Sequence, residues 1–244
     1  MPSPAAGSPP AGPTTAGSPA ADWLAGAWAV FAKDVRIELR TRVALGALGM
    51  FVAASLVLVR LALGRGAPSL SVSAALLWIV VVFAAAVGLG RAFVAEEERG
   101  TTLLLQLALR PSQVYAGKLA FNAVLTLALC ALAAAGFRLL VPAPLGAPGV
   151  LAAALALGAL GLAAATTLLS ALIARAQAAG PLLPVLAFPV VVPVLIPAVS
   201  MTEIASGAAA GAWAAARPDI VLLAAYAGLL VSASFLLFDY VWRD

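Results

Sequence analysis

Histidine is absent from all 244 residues, and cysteine occurs once, as Cys130. The first absence removes His-based acid–base chemistry, His metal sites and His-ligated haem from what this chain can do. The second removes an intramolecular disulfide and any dithiol redox couple. Charge is also scarce: 10% of the residues are Asp, Glu, Lys or Arg, against about 25% in an ordinary soluble domain. No phosphate-binding loop of the form G-x-x-x-x-G-K-[ST] occurs, because Gly117-Lys118 is followed by Leu119 and lacks the earlier glycine. If the chain works on ATP, another subunit hydrolyses it. A hydrolase without histidine needs a Ser-Lys pair or a carboxylate dyad. The one carboxylate cluster, Glu96 to Glu98, lies between two greasy segments and reads as a solvated or partner-facing run, so the chain is not read as an enzyme.

What is present is apolar surface. The chain is 64% hydrophobic with a mean hydropathy of +1.09, which identifies an integral, all-α membrane protein. Its net charge of +4 and pI near 9.8 are an orientation signal and not a nucleic-acid footprint. Residues 1–21, almost wholly Pro, Ala, Gly, Ser and Thr, are expected to be a disordered tail. Residues 22–42 form an amphipathic interfacial helix, and 43–244 a six-helix transmembrane domain. The six spans are expected near Val43–Leu63, Val72–Ala95, Leu119–Val141, Val150–Ala174, Pro181–Ser200 and Ile220–Trp242. With the amino terminus inside, ten Lys and Arg fall on the inner face and four (Arg60, Arg65, Arg138, Arg217) on the outer, which places both termini in the cytoplasm.

Four intervals carry more than apolarity. In the interfacial helix, Trp23, Ala27, Trp28, Phe31, Val35 and Leu39 recur at helical spacing opposite Lys33, Arg36 and Arg40 with Asp34 and Glu38, and Arg42 closes it. Tryptophan beside a cationic face suits a helix lying on membrane lipid; simple anchoring of the first span fits equally. Between the second and third spans, Glu98, Thr102, Gln106 and Arg110 make a polar stripe opposite Leu103, Leu104 and Leu107, and Pro111 ends it. Such a surface helix either presents a solvated face or offers itself to a soluble partner. Pro181, Pro184, Pro189, Pro193 and Pro197 crowd the fifth span, which is expected to kink or unwind repeatedly. Thr202 to Arg217 reads as a short re-entrant or outer interfacial helix, with Gly207 and Gly211 in GxxxG spacing. Every ionisable side chain falls near a span end, and the interiors hold only Ser, Thr, Asn122, Cys130 and Tyr226. That distribution argues against an ion-coupled carrier.

The stretch Phe31-Ala32-Lys33-Asp34-Val35-Arg36-Ile37-Glu38-Leu39-Arg40-Thr41-Arg42 resembles the opening of CcmB, the membrane subunit of the cytochrome c maturation haem exporter. Leu89-Gly90-Arg91-Ala92-Phe93 with Glu96 to Thr101 and Tyr115-Ala116-Gly117-Lys118, the proline-rich Leu182 to Ile196, and Leu237-Phe238-Asp239-Tyr240-Val241 are similar to later blocks of that family. Arg110-Pro111 and Thr102-Leu103 depart from its usual pattern. The resemblance implies an ABC-2-like permease of the bacterial inner membrane, paired with a second copy and with the ATPase CcmA, alongside CcmC, CcmD and the haem chaperone CcmE. It implies that residues 22–42, through Trp28, Phe31, Lys33, Asp34, Arg36, Glu38, Arg40 and Arg42, are the elbow helix. It also implies a cytoplasmic coupling helix carried by Glu96, Glu97, Glu98, Arg99, Gly100, Thr101, Leu103, Leu104, Gln106 and Leu107. Pro184, Pro189, Pro193 and Pro197 become helix-breaking positions. Haem is then the transported species and ATP is bound by the partner; no cofactor or metal site is expected on this chain. A generic ABC-2 permease for drug or lipid, or a non-transport scaffold, are the competing readings.

Overall fold

In the computed structural model the described residues are 18–64, 66, 68–89, 107–141, 144–175, 182–207 and 210–243. Among them there are seven helices and no strand: α1 (Pro19–Thr41), α2 (Val43–Leu63), α3 (Leu70–Leu89), α4 (Pro111–Leu140), α5 (Pro148–Arg175), α6 (Leu182–Ser206) and α7 (Ala212–Arg243). Five of these, α2 and α4 to α7, are long and apolar enough to cross a membrane. The apolar stretch Leu70–Ala86 of α3 is shorter.

Local chemistry sets the ends. Ser18 caps α1 by accepting from the Ala21 N–H at 3.3 Å, and Pro19 occupies the first turn, where its missing donor costs nothing. The helix therefore starts three residues before the expected Asp22. α4 begins at Pro111, eight residues earlier than the third apolar run suggested, because a proline at the first helical position is pre-set for the turn. Arg110 before it is extended (φ −70°, ψ 146°), as the proline ring requires.

One expectation fails. The separate helix expected over Thr202 to Arg217 does not exist: Thr202 to Ser206 finish α6, and Ala212 to Arg217 begin α7. Gly207 and Gly211 form no packing face; they flank the turn between these helices, and Gly211 adopts φ +77°, outside any helix. α6 runs as one helix through Pro189, Pro193 and Pro197, which lie four residues apart, so their missing donors and freed carbonyls fall along one stripe. Beside that stripe, the Tyr226 hydroxyl of α7 donates to the Val190 carbonyl at 3.1 Å. Pro184 lies in the first turn, where proline is tolerated.

The centre of the bundle is α5, whose Ala154, Ala159, Leu162, Ala163, Ala164 and Ala165 are buried against α4, α6 and α7. Lipid is as apolar as leucine, so close approach through small residues holds such helices together. Gly158 leaves the space taken by the indole of Trp78 from α3, and the Trp78 Nε1 donates to Thr202 Oγ1 of α6 at 2.9 Å. At one end of the bundle, the N–H groups of Gly146 and Ala147 both donate to the Ala205 carbonyl at 3.0 Å. Trp213 of α7 packs over Gly149, and Ser200 Oγ donates to Asp219 Oδ2 at 2.6 Å.

Candidate functional site

Of the expected coupling surface, Glu96, Glu97, Glu98, Arg99, Gly100, Thr101, Leu103, Leu104 and Gln106 lie outside the described residues. Leu107 is helical and 87% exposed. In sequence that segment is followed by α4, whose first two turns pack closely against α1.

The contact is built from small residues that admit backbone and from polar groups that tie it. Gly117 of α4 sits so close to α1 that a Cβ would lie 2.6 Å from the Ala27 carbonyl oxygen and 2.6 Å from the Val30 Cβ. Gly26 of α1 reciprocates, leaving its side-chain space to Gln113 of α4. Gln113 uses both ends of its amide: Oε1 accepts from the Arg110 N–H at 2.9 Å, and Nε2 donates to the carbonyls of Asp22 at 3.1 Å and Trp23 at 3.2 Å. One side chain thus caps α4 and fastens α1 across it. The Trp23 Nε1 donates to Ser112 Oγ at 3.0 Å.

Further along, Lys118 Nζ lies 3.4 Å from Asp34 Oδ2, with 3% of the lysine side chain and 11% of the aspartate exposed. Lys33 approaches the other carboxylate oxygen at 3.2 Å. An ammonium this deeply removed from water requires a counter-charge, and α1 supplies it. Asp34 therefore belongs with the face that meets α4, together with Gly26 and Val30, rather than with the solvated stripe of the sequence reading. Trp28, 66% exposed with its ring 5.1 Å from Phe31, lies on the outward side with Leu39, Arg36 and Arg40. Glu38 does something different again: its Oε1 accepts from the Leu45 N–H at 2.7 Å, satisfying a donor in the first turn of α2. Arg42, between α1 and α2, has φ +54°.

From Lys118 the polar register continues up α4 through Asn122 and Thr126, each one turn further on and buried. Asn122 Nδ2 donates to Thr167 Oγ1 of α5 at 2.8 Å, Thr126 Oγ1 to the Asn122 carbonyl, and Thr167 Oγ1 to the Ala163 carbonyl. These groups bond to one another or to their own helix, which suits helix–helix registration. Among the described residues no group of three or more His, Cys, Asp or Glu could hold a metal ion. Tyr115 packs its ring 4.9 Å from Phe235 and 5.0 Å from Phe238, joining the same end of α4 to α7.

Gln113, Gly26 and the pairing of Asp34 with Lys118 are functional candidates that sequence reasoning missed. Gly117 and Lys118 stood within a noted block, but nothing in it pointed to α1. The family model described as CcmB protein matches residues 25–238, from within α1 to near the end of α7. No curated protein matches the chain.

Proposed function

The chain belongs to the CcmB family, the haem-exporter permease component of cytochrome c maturation, and on that premise we propose how it transmits work done by a separate ATPase. Membership makes it a multi-pass membrane subunit of an ABC-type transport system, with ATP hydrolysis assigned to a partner. In our reading α2 to α7 are six inner-membrane spans with both termini cytoplasmic; α3, at 20 residues, is about 30 Å long, enough for the hydrocarbon core. Two copies assemble with two copies of CcmA, beside CcmC, CcmD and CcmE. The segment from Glu96 to Arg110 seats in the ATPase groove, with Leu103, Leu104 and Leu107 giving apolar purchase and Glu97, Glu98 and Arg99 setting register.

The observation that carries this reading is the direct continuation of that segment into a clamped helix terminus, Pro111 to Lys118 on α1. A docked segment that moves pulls on an α4 end braced by glycine contact, amide bonds and an ion pair, so displacement passes into the bundle. The test is charge reversal: Glu98→Arg combined with Arg99→Glu should reduce co-purification of CcmA and lower cytochrome c yield at least tenfold. Wild-type levels of both would sink the coupling assignment.

Haem is the cargo of the system, and we infer that this subunit supplies force without ligating the iron. It has no histidine and only three methionines, Met1, Met50 and Met201, so axial ligands are few. The stroke then serves to release haem-loaded CcmE from CcmC. The purified subunit is expected to show no Soret band; one haem per chain would contradict this.

A further inference from the structure

Resting on that reading, we propose that α1 travels with α4 and not with α2, so that the ATPase stroke reaches the first span through a hinge at Arg42. Three observations converge. First, α1 is tied to α4 from Asp22 to Asp34, roughly 18 Å of helix at 1.5 Å per residue. The ties are of three physical kinds: backbone against glycine at Gly117, amide bonds from Gln113, and the Asp34–Lys118 pair. Interlocked contacts of this sort have no soft sliding coordinate, because a shift that relieves one breaks another.

Second, α1 and α2 follow each other in the chain yet barely pack together. Across their junction the Leu45 N–H donates to Glu38 Oε1 at 2.7 Å. That acceptor sits at the end of a flexible side chain, so it can follow α2 through a change of angle while still satisfying the helix terminus.

Third, the change of direction between the two helices is concentrated in one residue. Arg42 ends α1, where its N–H donates to the Glu38 carbonyl at 2.7 Å, and starts α2, where its carbonyl accepts from the Gly46 N–H at 2.9 Å. It does so at φ +54°, a left-handed conformation uncommon for a residue with a Cβ. A single residue shared by two ladders and held in a sparsely populated well is where a rotation is absorbed, as hinges are few-residue positions at element ends. Asp34, Gln113 and Lys118 are then positioning residues for transport: they act by making α1 an extension of α4.

The test uses two reversible bridges in the assembled complex with its ATPase partner, reconstituted in lipid, on a Cys130→Ala background. Trp23→Cys with Ser112→Cys bridges α1 to α4 when oxidised; Glu38→Cys with Leu45→Cys bridges α1 to α2. Each reduced double variant is its own reference, so the cost of the substitutions cancels. The first bridge should leave ATP hydrolysis by the complex within about twofold, because it joins parts that already move together. The second should lower it at least tenfold, with recovery on adding a thiol reductant. Tenfold loss from the α1–α4 bridge, or none from the α1–α2 bridge, overturns the hinge while the ATPase still co-purifies. Failure of the ATPase to co-purify with the unbridged wild-type protein overturns the coupling reading itself.

Discussion

Gly117→Leu is expected to reduce cytochrome c yield at least tenfold. A leucine Cβ would start 2.6 Å from the Ala27 carbonyl oxygen, a backbone atom of a helix that cannot step aside alone. Its isobutyl group would have to push α1 off α4 along the first turns. Overpacking of this kind costs about 3 kcal/mol or more when the obstacle is backbone, and here it also separates Asp34 from Lys118. The mirror position gives the control. At Gly26 an added Cβ meets the amide end of Gln113, which must give up its bonds to the Asp22 and Trp23 carbonyls, so Gly26→Ala should lower yield as well, but by less than Gly117→Leu, because a side chain gives way before backbone does. Wild-type yield from Gly117→Leu would show the contact to be unimportant. Yield is read from haem-stained cytochrome c, normalised to the amount of subunit in the membrane.

Asp34→Asn is the second large effect. It leaves the Lys118 ammonium, with 3% of its side chain exposed, facing a neutral amide. Breaking one side of a buried pair costs about 3 kcal/mol at the low end, and that end applies because Asp34 itself keeps 11% exposure. For a chain of this size such a loss lowers the thermal midpoint by roughly 6 °C or more. Replacing both partners, Asp34→Asn with Lys118→Met, removes the buried ammonium as well and should recover most of the midpoint. It should not recover transport, since the tie between α1 and α4 is still missing. A double variant that regains full cytochrome c yield would show the pair to be a stability element only.

The sequence was a good guide where the physics is local. Runs of apolar residues located every span-length helix to within a few residues, apart from the early starts at Pro111 and Ala212, where helix continues beyond the greasy core. Pro111 ended the polar stripe as expected, with Arg110 extended before it. The blocks from Phe31 to Arg42, from Leu89 to Phe93 with Glu96 to Thr101 and Tyr115 to Lys118, from Leu182 to Ile196 and from Leu237 to Val241 were enough to indicate the family. What stayed hidden depends on chain segments meeting in space. Asp34 and Lys118 are 84 positions apart, and each alone reads as an ordinary inner-face charge. Gly117 and Gly26 look like helix weaknesses until the opposing backbone is seen. α5 was the least informative span to read and is the centre of the bundle: alanine on every side gives no periodic contrast, and in lipid the buried and exposed faces do not need to differ in polarity.

The end of the bundle at which Gly146 and Ala147 both bond to Ala205 has a mechanical corollary. With Trp213 wedged over Gly149 and Ser200 bonded to Asp219, the ends of α5, α6 and α7 are laced into a tripod. Spreading its legs would break several bonds at once. α3 joins α6 one turn away, where Trp78 donates to Thr202, so a change at this end would have to carry α3 along with the tripod.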